Sequence, residues 1–191
     1  MATKQPGERK FQILQTVAEM LEQPKGEKIT TAALAARLEL SEAALYRHFA
    51  SKAQMFEGLI DFIEQTVFGL INKISTEETD GLKQVEGIVA LLLGFAQKNR
   101  GMTRVLIGDA LVNEDERLQQ RINQFLDRVE TTLKQSLRIA ATQGSLGADD
   151  DAGAHANLLV CYVVGRWNQF GKSGYTRDPM ALWPQQWRIL R

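Results

Sequence analysis

Residues 29–52 read ITTAALAARLELSEAALYRHFASK, and this stretch decides the fold. It predicts two short helices, because Thr30 and Ser41 are good N-cap residues that precede apolar positions at helical spacing. Only Glu39-Leu40-Ser41 separates the two helices. So short a connection is typical of a helix-turn-helix, which presents its second helix to a groove of DNA. On spacing alone, an ordinary helix pair in a bundle remains the alternative.

The second predicted helix has an apolar inward side and a small, polar outward side. Leu45 and Phe49 lie one turn apart and face inward. Small residues allow close approach to base edges, whereas hydroxyl, imidazole and cationic groups bind phosphate. Taken singly, Tyr46 also suits a core aromatic, and His48 a cap or core residue. The DNA-binding candidates are Thr30, Thr31, Ser41, Glu42, Ala43, Tyr46, Arg47, His48 and, at the start of the next helix, Lys52.

The pattern I-T-x-x-x-L-A, followed by L-S-x-x-x-L-Y-x-H-F-x-S-K, resembles the DNA-binding domain of the TetR family. The resemblance implies an all-α, TetR-like fold, in which an N-terminal helix-turn-helix joins a helical body that dimerises. Members of that family usually have glycine in the turn, where this chain has Glu39. If the turn keeps a positive φ, Glu39 carries strain of about 1 kcal/mol or more.

Helical spacing dominates the rest of the chain, for which we predict about nine helices in total. A polar break at 75–81 divides the chain into a DNA-binding domain, residues 1–74, and a helical body, residues 75–191. We expect Asn113 to cap the long helix that follows it, and Asp178-Pro179 to open the last helix. The fourth helix, capped by Ser51, has an inward stripe of Phe56, Leu59, Ile63, Val67, Leu70 and Ile74.

Residues 157–170, NLLVCYVVGRWNQF, form a helix that is apolar nearly all round. Such a helix must be covered on every side, so we expect a second subunit to cover the face that the body leaves open. A two-fold dimer presents two recognition helices to a palindromic site. The alternative is a helix wholly inside the core of one subunit, and Cys161 is interpreted as a small buried hydrophobe. The predicted interface residues are Leu159, Val160, Val163, Val164 and Trp167.

Residues 41–65, 88–111 and 117–130 also resemble the nucleoid-occlusion proteins within the TetR family. This resemblance implies binding to chromosomal palindromes and to FtsZ, the tubulin-like division GTPase, whose ring is kept from assembling over unsegregated DNA. It places the protein in the cytoplasm, on the nucleoid.

A partner groove is predicted from three residues of the fourth and fifth helices. Phe62 lies off the inward stripe of the fourth helix, and Lys98 and Asn99 end the fifth. An apolar groove with a cationic rim suits an acidic or carboxylate-ended peptide. The alternatives are that another helix buries Phe62, and that Lys98 with Arg100 caps a helix C-terminus.

Composition argues against several other classes of protein. Lys+Arg and Asp+Glu both number 23, so an overall basic charge is absent. His48 and His155 are the only histidines, and neither has a metal-ligand spacing. We find no nucleophile–base set and no glycine-rich phosphate loop, and therefore expect no enzyme, metal or cofactor. The longest apolar run, 158–164, is shorter than the roughly 20 residues of a membrane span.

Two other functions remain open at this point. A ligand-responsive TetR-type repressor predicts a closed pocket in the body with convergent polar groups. An interaction scaffold that does not bind DNA predicts no salt-dependent affinity for a duplex.

Overall fold

The computed structural model describes residues 6–23, 29–147 and 150–191. Within those ranges the chain forms α-helices, one short 3-10 helix and no strand, which confirms the prediction of an all-α fold. The nine α-helices described are α1 Pro6–Leu21, α2 Thr31–Arg37, α3 Glu42–Tyr46, α4 Lys52–Glu77, α5 Gly81–Lys98, α6 Arg100–Leu106, α7 Glu116–Thr142, α8 Ala152–Lys172 and α9 Trp183–Leu190.

Local hydrogen bonds fix the first turns of α2, α3 and α4, as the sequence predicts. Thr30 Oγ1 accepts from the backbone N–H of Ala33 at 3.1 Å. Ser41 Oγ accepts from Ala44 N–H at 3.1 Å, and Ser51 Oγ accepts from the N–H of residue 54 at 3.2 Å. Each bond satisfies a backbone donor that the helix itself leaves without a partner.

Two predicted helix starts are wrong. Asp115, not Asn113, caps α7, since its carboxylate accepts from the backbone N–H two residues further on at 3.0 Å. Asn113 lies in the preceding loop with φ 65°. The last helix begins at Trp183 and has Pro184 in its first turn, so Pro179 lies outside it. Asn113 precedes Asp115 by two positions, and its amide oxygen can accept the same kind of local bond. The local sequence therefore does not distinguish the two residues as the cap of α7.

Helix α8 turns most of its predicted interface inward. Leu159, Val163 and Trp167 are at most 1% exposed, and Trp167 Nε1 donates to the carbonyl of Leu92 on α5 at 3.0 Å. These three side chains have no surface left to lose to a second subunit, so their assignment to a dimer interface is wrong. Val160 is also buried and Val164 half-buried.

A different stripe of α8 is uncovered in the protomer. Leu158 is 54% exposed, and Cys161 and Gly165 are exposed one and two turns further on. The prediction of a buried Cys161 is therefore wrong for the single chain; its thiol contacts Asn157 Oδ1 at 3.8 Å. The stripe is apolar and small, so it permits close approach of another helix.

Close contacts hold α1 on the body. A Cβ at Gly101 of α6 would lie 1.9 Å from the carbonyl oxygen of Ala18 on α1, so only glycine allows this approach. Arg104 Nη1 and the hydroxyl of Tyr175 both donate to the carbonyl of Leu21, at 3.3 and 3.4 Å. Helix α4, about 39 Å long at 1.5 Å per residue, runs from the helix-turn-helix into the body. No helix in the described part of the chain is long and apolar enough to cross a membrane.

Candidate DNA-binding surface and partner groove

The turn between α2 and α3 ends α2 in a Schellman motif. Leu40 N–H donates to the carbonyl of Ala35 at 2.9 Å, and Glu39 N–H donates to that of Ala36 at 3.1 Å. Glu39 occupies the left-handed position of this motif with φ 54°, which confirms the positive φ considered from the sequence. The same motif ends α7 and α8, where Gly144 and Gly174 hold that position.

The orientation of α3 is that of a recognition helix, with one side packed on the core and the other exposed. Leu45 is fully buried and Phe49 is 7% exposed, which fixes α3 on the small N-terminal core. Tyr46 is 44% exposed, so its alternative as a core aromatic is wrong. The other predicted α3 residues are exposed at Ser41, Glu42, Ala43 and Arg47, and half-buried at His48.

A hydrogen bond between helices engages two of the predicted DNA-binding residues. Thr31 Oγ1 donates to Glu42 Oε2 at 2.7 Å and so joins the first turns of α2 and α3. The carboxylate is favourably placed near the positive end of α2. A phosphate at this helix start would meet that carboxylate, so the structure does not support Thr31 as a phosphate donor. Thr30 is exposed and keeps its capping bond.

Lys52 points toward the body instead of outward. Its ammonium forms an ion pair with Glu114, in the loop before α7, and lies 5.6 Å from the ring centroid of Phe56. The side chains of Lys52 and Glu114 are only 21% and 12% exposed. The prediction of Lys52 as a DNA contact is therefore corrected: this cation ties the start of α4 to the body.

Asp109 is the centre of a second group of ion pairs, which borders the same cavity as Lys52 and Glu114. Lys172 and Arg104 Nε, the latter at 2.8 Å, both donate to the carboxylate of Asp109. The bond from Lys172, opposed by burial and assisted by Arg104, holds the pKa of Asp109 below its ordinary 3.8. Because Arg104 also bonds α1, this cluster joins the N-terminal helices to α6 and α8.

Lys10 is a candidate that the sequence reasoning missed. It is exposed on α1, and its ammonium lies 5.6 Å from the ring centroid of Phe49, directly after α3. A cation at this place adds to the positive charge of Arg47 beside the recognition helix. In sequence it stands far from residues 29–52, and only the packing of α1 brings the two together.

The three predicted partner-binding residues line one groove between α4 and α5. Its volume is about 370 Å³, and Phe62, Lys98 and Asn99 all border it. Phe62 is half-buried and Lys98 exposed. Leu70, predicted on the inward stripe of α4, is 42% exposed and borders the groove, so its inward assignment is wrong. The other lining residues, which the sequence reasoning missed, are Thr66, Ala90, Leu91, Gly94 and Phe95.

Hydrogen bonding fixes one end of this α4–α5 groove. Asn99 Nδ2 donates to the carbonyl of Phe95 at 2.8 Å, and Asn99 N–H donates to that of Ala96 at 3.2 Å. Asn99 therefore caps the end of α5, and Lys98 stands beside it. The result is an apolar channel with one cation and one amide at its rim, which suits an apolar peptide with an acidic group.

Comparisons with known proteins fit this geometry. Residues 13–59 match the domain described as "Bacterial regulatory proteins, tetR family". Residues 79–191 match the SlmA-like C-terminal domain, described as "Tetracyclin repressor-like, C-terminal domain". Among solved structures, a TetR transcription regulator from Haloarcula marismortui superimposes with a TM-score of 0.80 at 18% identity, over 96% of each chain. That likeness confirms the TetR-like fold.

Curated relatives are much closer in sequence. The nucleoid occlusion factor SlmA of Alteromonas mediterranea is 51% identical, over 96% of this chain and 94% of its own. The protein of that name from Shewanella pealeana is 46% identical, over all of this chain and 97% of its own. With such identity over nearly the full length, and a C-terminal domain match over residues 79–191, the chain belongs to the SlmA family of nucleoid occlusion factors, within the TetR family.

Proposed function

We propose that this nucleoid occlusion factor binds palindromic DNA as a dimer through α3 and binds FtsZ through the α4–α5 groove. It thereby keeps the division ring from assembling over unsegregated chromosomes. The observation that carries the proposal is that the exposed face of α3 and the groove at Phe62, Lys98 and Asn99 are two separate surfaces of one chain.

DNA binding rests on the outward side of α3. Ser41, Glu42 and Ala43 form its exposed first turn, the part of a recognition helix that meets base edges in the major groove. Arg47 and Tyr46, one turn on, reach bases or phosphates, and Lys10 contacts phosphate. Contacts of this kind predict an affinity that falls steeply with salt.

Dimerisation rests on the uncovered stripe of α8. Leu158, Cys161 and Gly165 lie on one side of the helix and are exposed in the protomer. A two-fold axis beside this stripe buries it against its own copy and places two α3 helices in successive major grooves about 34 Å apart. That spacing requires a palindromic site.

Partner binding rests on the chemistry of the α4–α5 groove. Phe62 and Leu70 supply apolar surface, and Lys98 supplies the cation that attracts an acidic residue or a terminal carboxylate. The C-terminal tail of FtsZ is the occupant that the family resemblance implies. Two grooves per dimer, and several dimers on neighbouring DNA sites, raise the local concentration of sites for a filament that has many tails.

The proposal also fixes a division of labour and a location. Residues 1–74 bind DNA and contribute Phe62 and Leu70 of α4 to the FtsZ groove, whereas residues 75–191 contribute Lys98 and Asn99 and dimerise; the two parts share one apolar core. The protein acts by binding and not by catalysis, in the cytoplasm and on the nucleoid.

An assembly experiment tests the proposal. FtsZ is polymerised with GTP alone, with this protein, and with this protein plus a palindromic duplex, and filament mass is measured by sedimentation. We expect the least filament mass when protein and duplex are both present, and recovery of the mass with Lys98→Glu. Ile189→Ala, which changes an exposed apolar residue of α9, serves as the matched control. Equal filament mass in every mixture contradicts the proposal.

The ligand-responsive repressor receives less support. Leu92 of α5, Leu133 of α7 and Trp167 of α8 are each at most 1% exposed, so the centre of the body is filled by side chains. The α4–α5 groove opens on the surface and is mostly apolar, whereas a ligand chamber needs enclosure and convergent polar groups. Genome-wide mapping of bound sites separates the two functions: many dispersed sites favour occlusion, and one promoter favours a repressor.

A further inference from the structure

A second groove adjoins the α4–α5 groove. It lies between α1, α4 and the start of α6 and has a volume of about 260 Å³. Phe62 and Asn99 border both grooves, so the surface continues from one into the other. Most of its floor is apolar, formed by Phe11, Leu14, Ala18, Leu59 and Met102.

In this second groove, the α1 groove, Phe11 is unusual because it is apolar and yet exposed. Phe11 is 56% exposed although it belongs to the apolar side of α1. The ring meets that of Phe62 edge to face, with centroids 6.2 Å apart and planes at 63°. Phe62 borders both grooves, and the exposed Phe11 borders the α1 groove. Together the two rings form a continuous apolar surface that a bound chain can cover.

The charges of the two grooves have opposite signs. Lys98 is the cation of the α4–α5 groove, whereas Glu19 and Glu22 border the α1 groove and are exposed. Glu19 accepts from Gln15 Nε2 at 3.2 Å and faces Arg37 at 3.9 Å, a long surface pair that solvent screens. A ligand that crosses both grooves therefore meets a positive group and then a negative rim.

The α4–α5 groove is too short to hold a long peptide, so such a peptide has to extend beyond it. From Phe62 to Leu70 it follows α4 for about 12 Å, at 1.5 Å per residue. An extended peptide covers about 3.3 Å per residue, so the groove holds about four residues. A longer peptide must leave it, and the end at Phe62 opens into the α1 groove.

We propose that the partner peptide continues past Phe62 into the α1 groove, where an apolar residue packs on Phe11 and a basic residue pairs with Glu19 and Glu22. This rests on the proposed function, since it extends the same site. It defines the ligand as a peptide with an apolar part, an acidic group near Lys98 and a basic group beyond it. The chain would then bind its partner with α1 as well as with α4 and α5.

Peptide binding to the full-length protein tests the extension. The probe is a fluorescein-labelled peptide of the last 20 or so residues of FtsZ, a length well above the four that fill the first groove, and the readout is anisotropy. We expect Phe11→Ala to weaken binding at least fivefold. The double variant Glu19→Gln/Glu22→Gln should weaken it about threefold at low salt and not at high salt, where such charges are screened. Ile189→Ala should bind as the parent does.

A double-mutant cycle with a second peptide separates loss of the charge contact from loss of folding in the variants. In this peptide every Lys and Arg is replaced by Gln, and we expect the double Glu variant to bind it as tightly as the parent protein does. If Lys98→Glu weakens binding while Phe11→Ala and the Glu pair do not, the extension is wrong and the proposed function stands. If Lys98→Glu also leaves binding unchanged, the proposed function and the extension both fail.

Discussion

Replacing Glu39 by glycine should stabilise the protein. Glu39 holds the left-handed position of the Schellman motif at φ 54°, which costs a residue with a Cβ about 1–2 kcal/mol relative to the right-handed region. Glycine avoids this cost but adds about 0.4–1 kcal/mol of backbone entropy to the unfolded chain. The midpoints of these two ranges give Glu39→Gly a net gain of about 0.8 kcal/mol in the free energy of unfolding.

Thermal unfolding at one fixed protein concentration measures this gain. For a chain of this size, 1 kcal/mol corresponds to about 2–4 °C in Tm. Gly144→Ala is the matched control, because Gly144 occupies the same position at the end of α7 with φ 76°, and a Cβ added there would have no atom within 4 Å. It should lower Tm by about as much as Glu39→Gly raises it. A lower Tm for Glu39→Gly, or an unchanged Tm for Gly144→Ala, contradicts the free-energy cost assigned to a residue with a Cβ at this position of the motif.

Three further changes test the packing, the ion pairs and the dimer. Gly101→Ala should lower the free energy of unfolding by about 3 kcal/mol or more, because its Cβ collides with backbone; Gly69→Ala, in open space on α4, should not destabilise. The pKa of Asp109 is lowered in the folded state, so the unfolded chain binds the proton first, and stability falls as pH drops below 3.8. Asp109→Asn should make that fall shallower in acid unfolding titrations. Leu158→Glu should shift sedimentation equilibrium toward monomer and leave helix content, measured by circular dichroism, unchanged; an intact dimer would exclude the exposed α8 stripe.

The sequence was sufficient for features that depend on neighbouring residues. The caps at Thr30, Ser41 and Ser51 are predictable, because a cap is one side chain that bonds a backbone N–H three residues further on. The positive φ considered for Glu39 depends instead on the family resemblance, since glycine usually occupies this position of the turn. The grouping of Phe62 with Lys98 is also predictable, since the two lie at similar distances from the short connection between α4 and α5, and antiparallel pairing of these helices brings them together.

Features that depend on packing were predicted less well. Helix α8 is apolar all round, so its pattern does not reveal that Leu159 and Trp167 face the core. The inward direction of Lys52 depends on Glu114, its partner 62 residues away, which has no signal in the local sequence. The contact of Phe11 with Phe62 likewise joins residues far apart in the sequence, so no local pattern reveals it.

Two affinities, measured for each of two variants, test whether DNA and the partner bind to separate surfaces. Arg47→Glu and Lys98→Glu are assayed for binding of a palindromic duplex and of the FtsZ tail peptide, at one salt concentration. We expect Arg47→Glu to lose the duplex and keep the peptide, and Lys98→Glu to lose the peptide and keep the duplex. If either variant loses both ligands while remaining folded, or neither loses any, the assignment of separate surfaces for DNA and partner is contradicted.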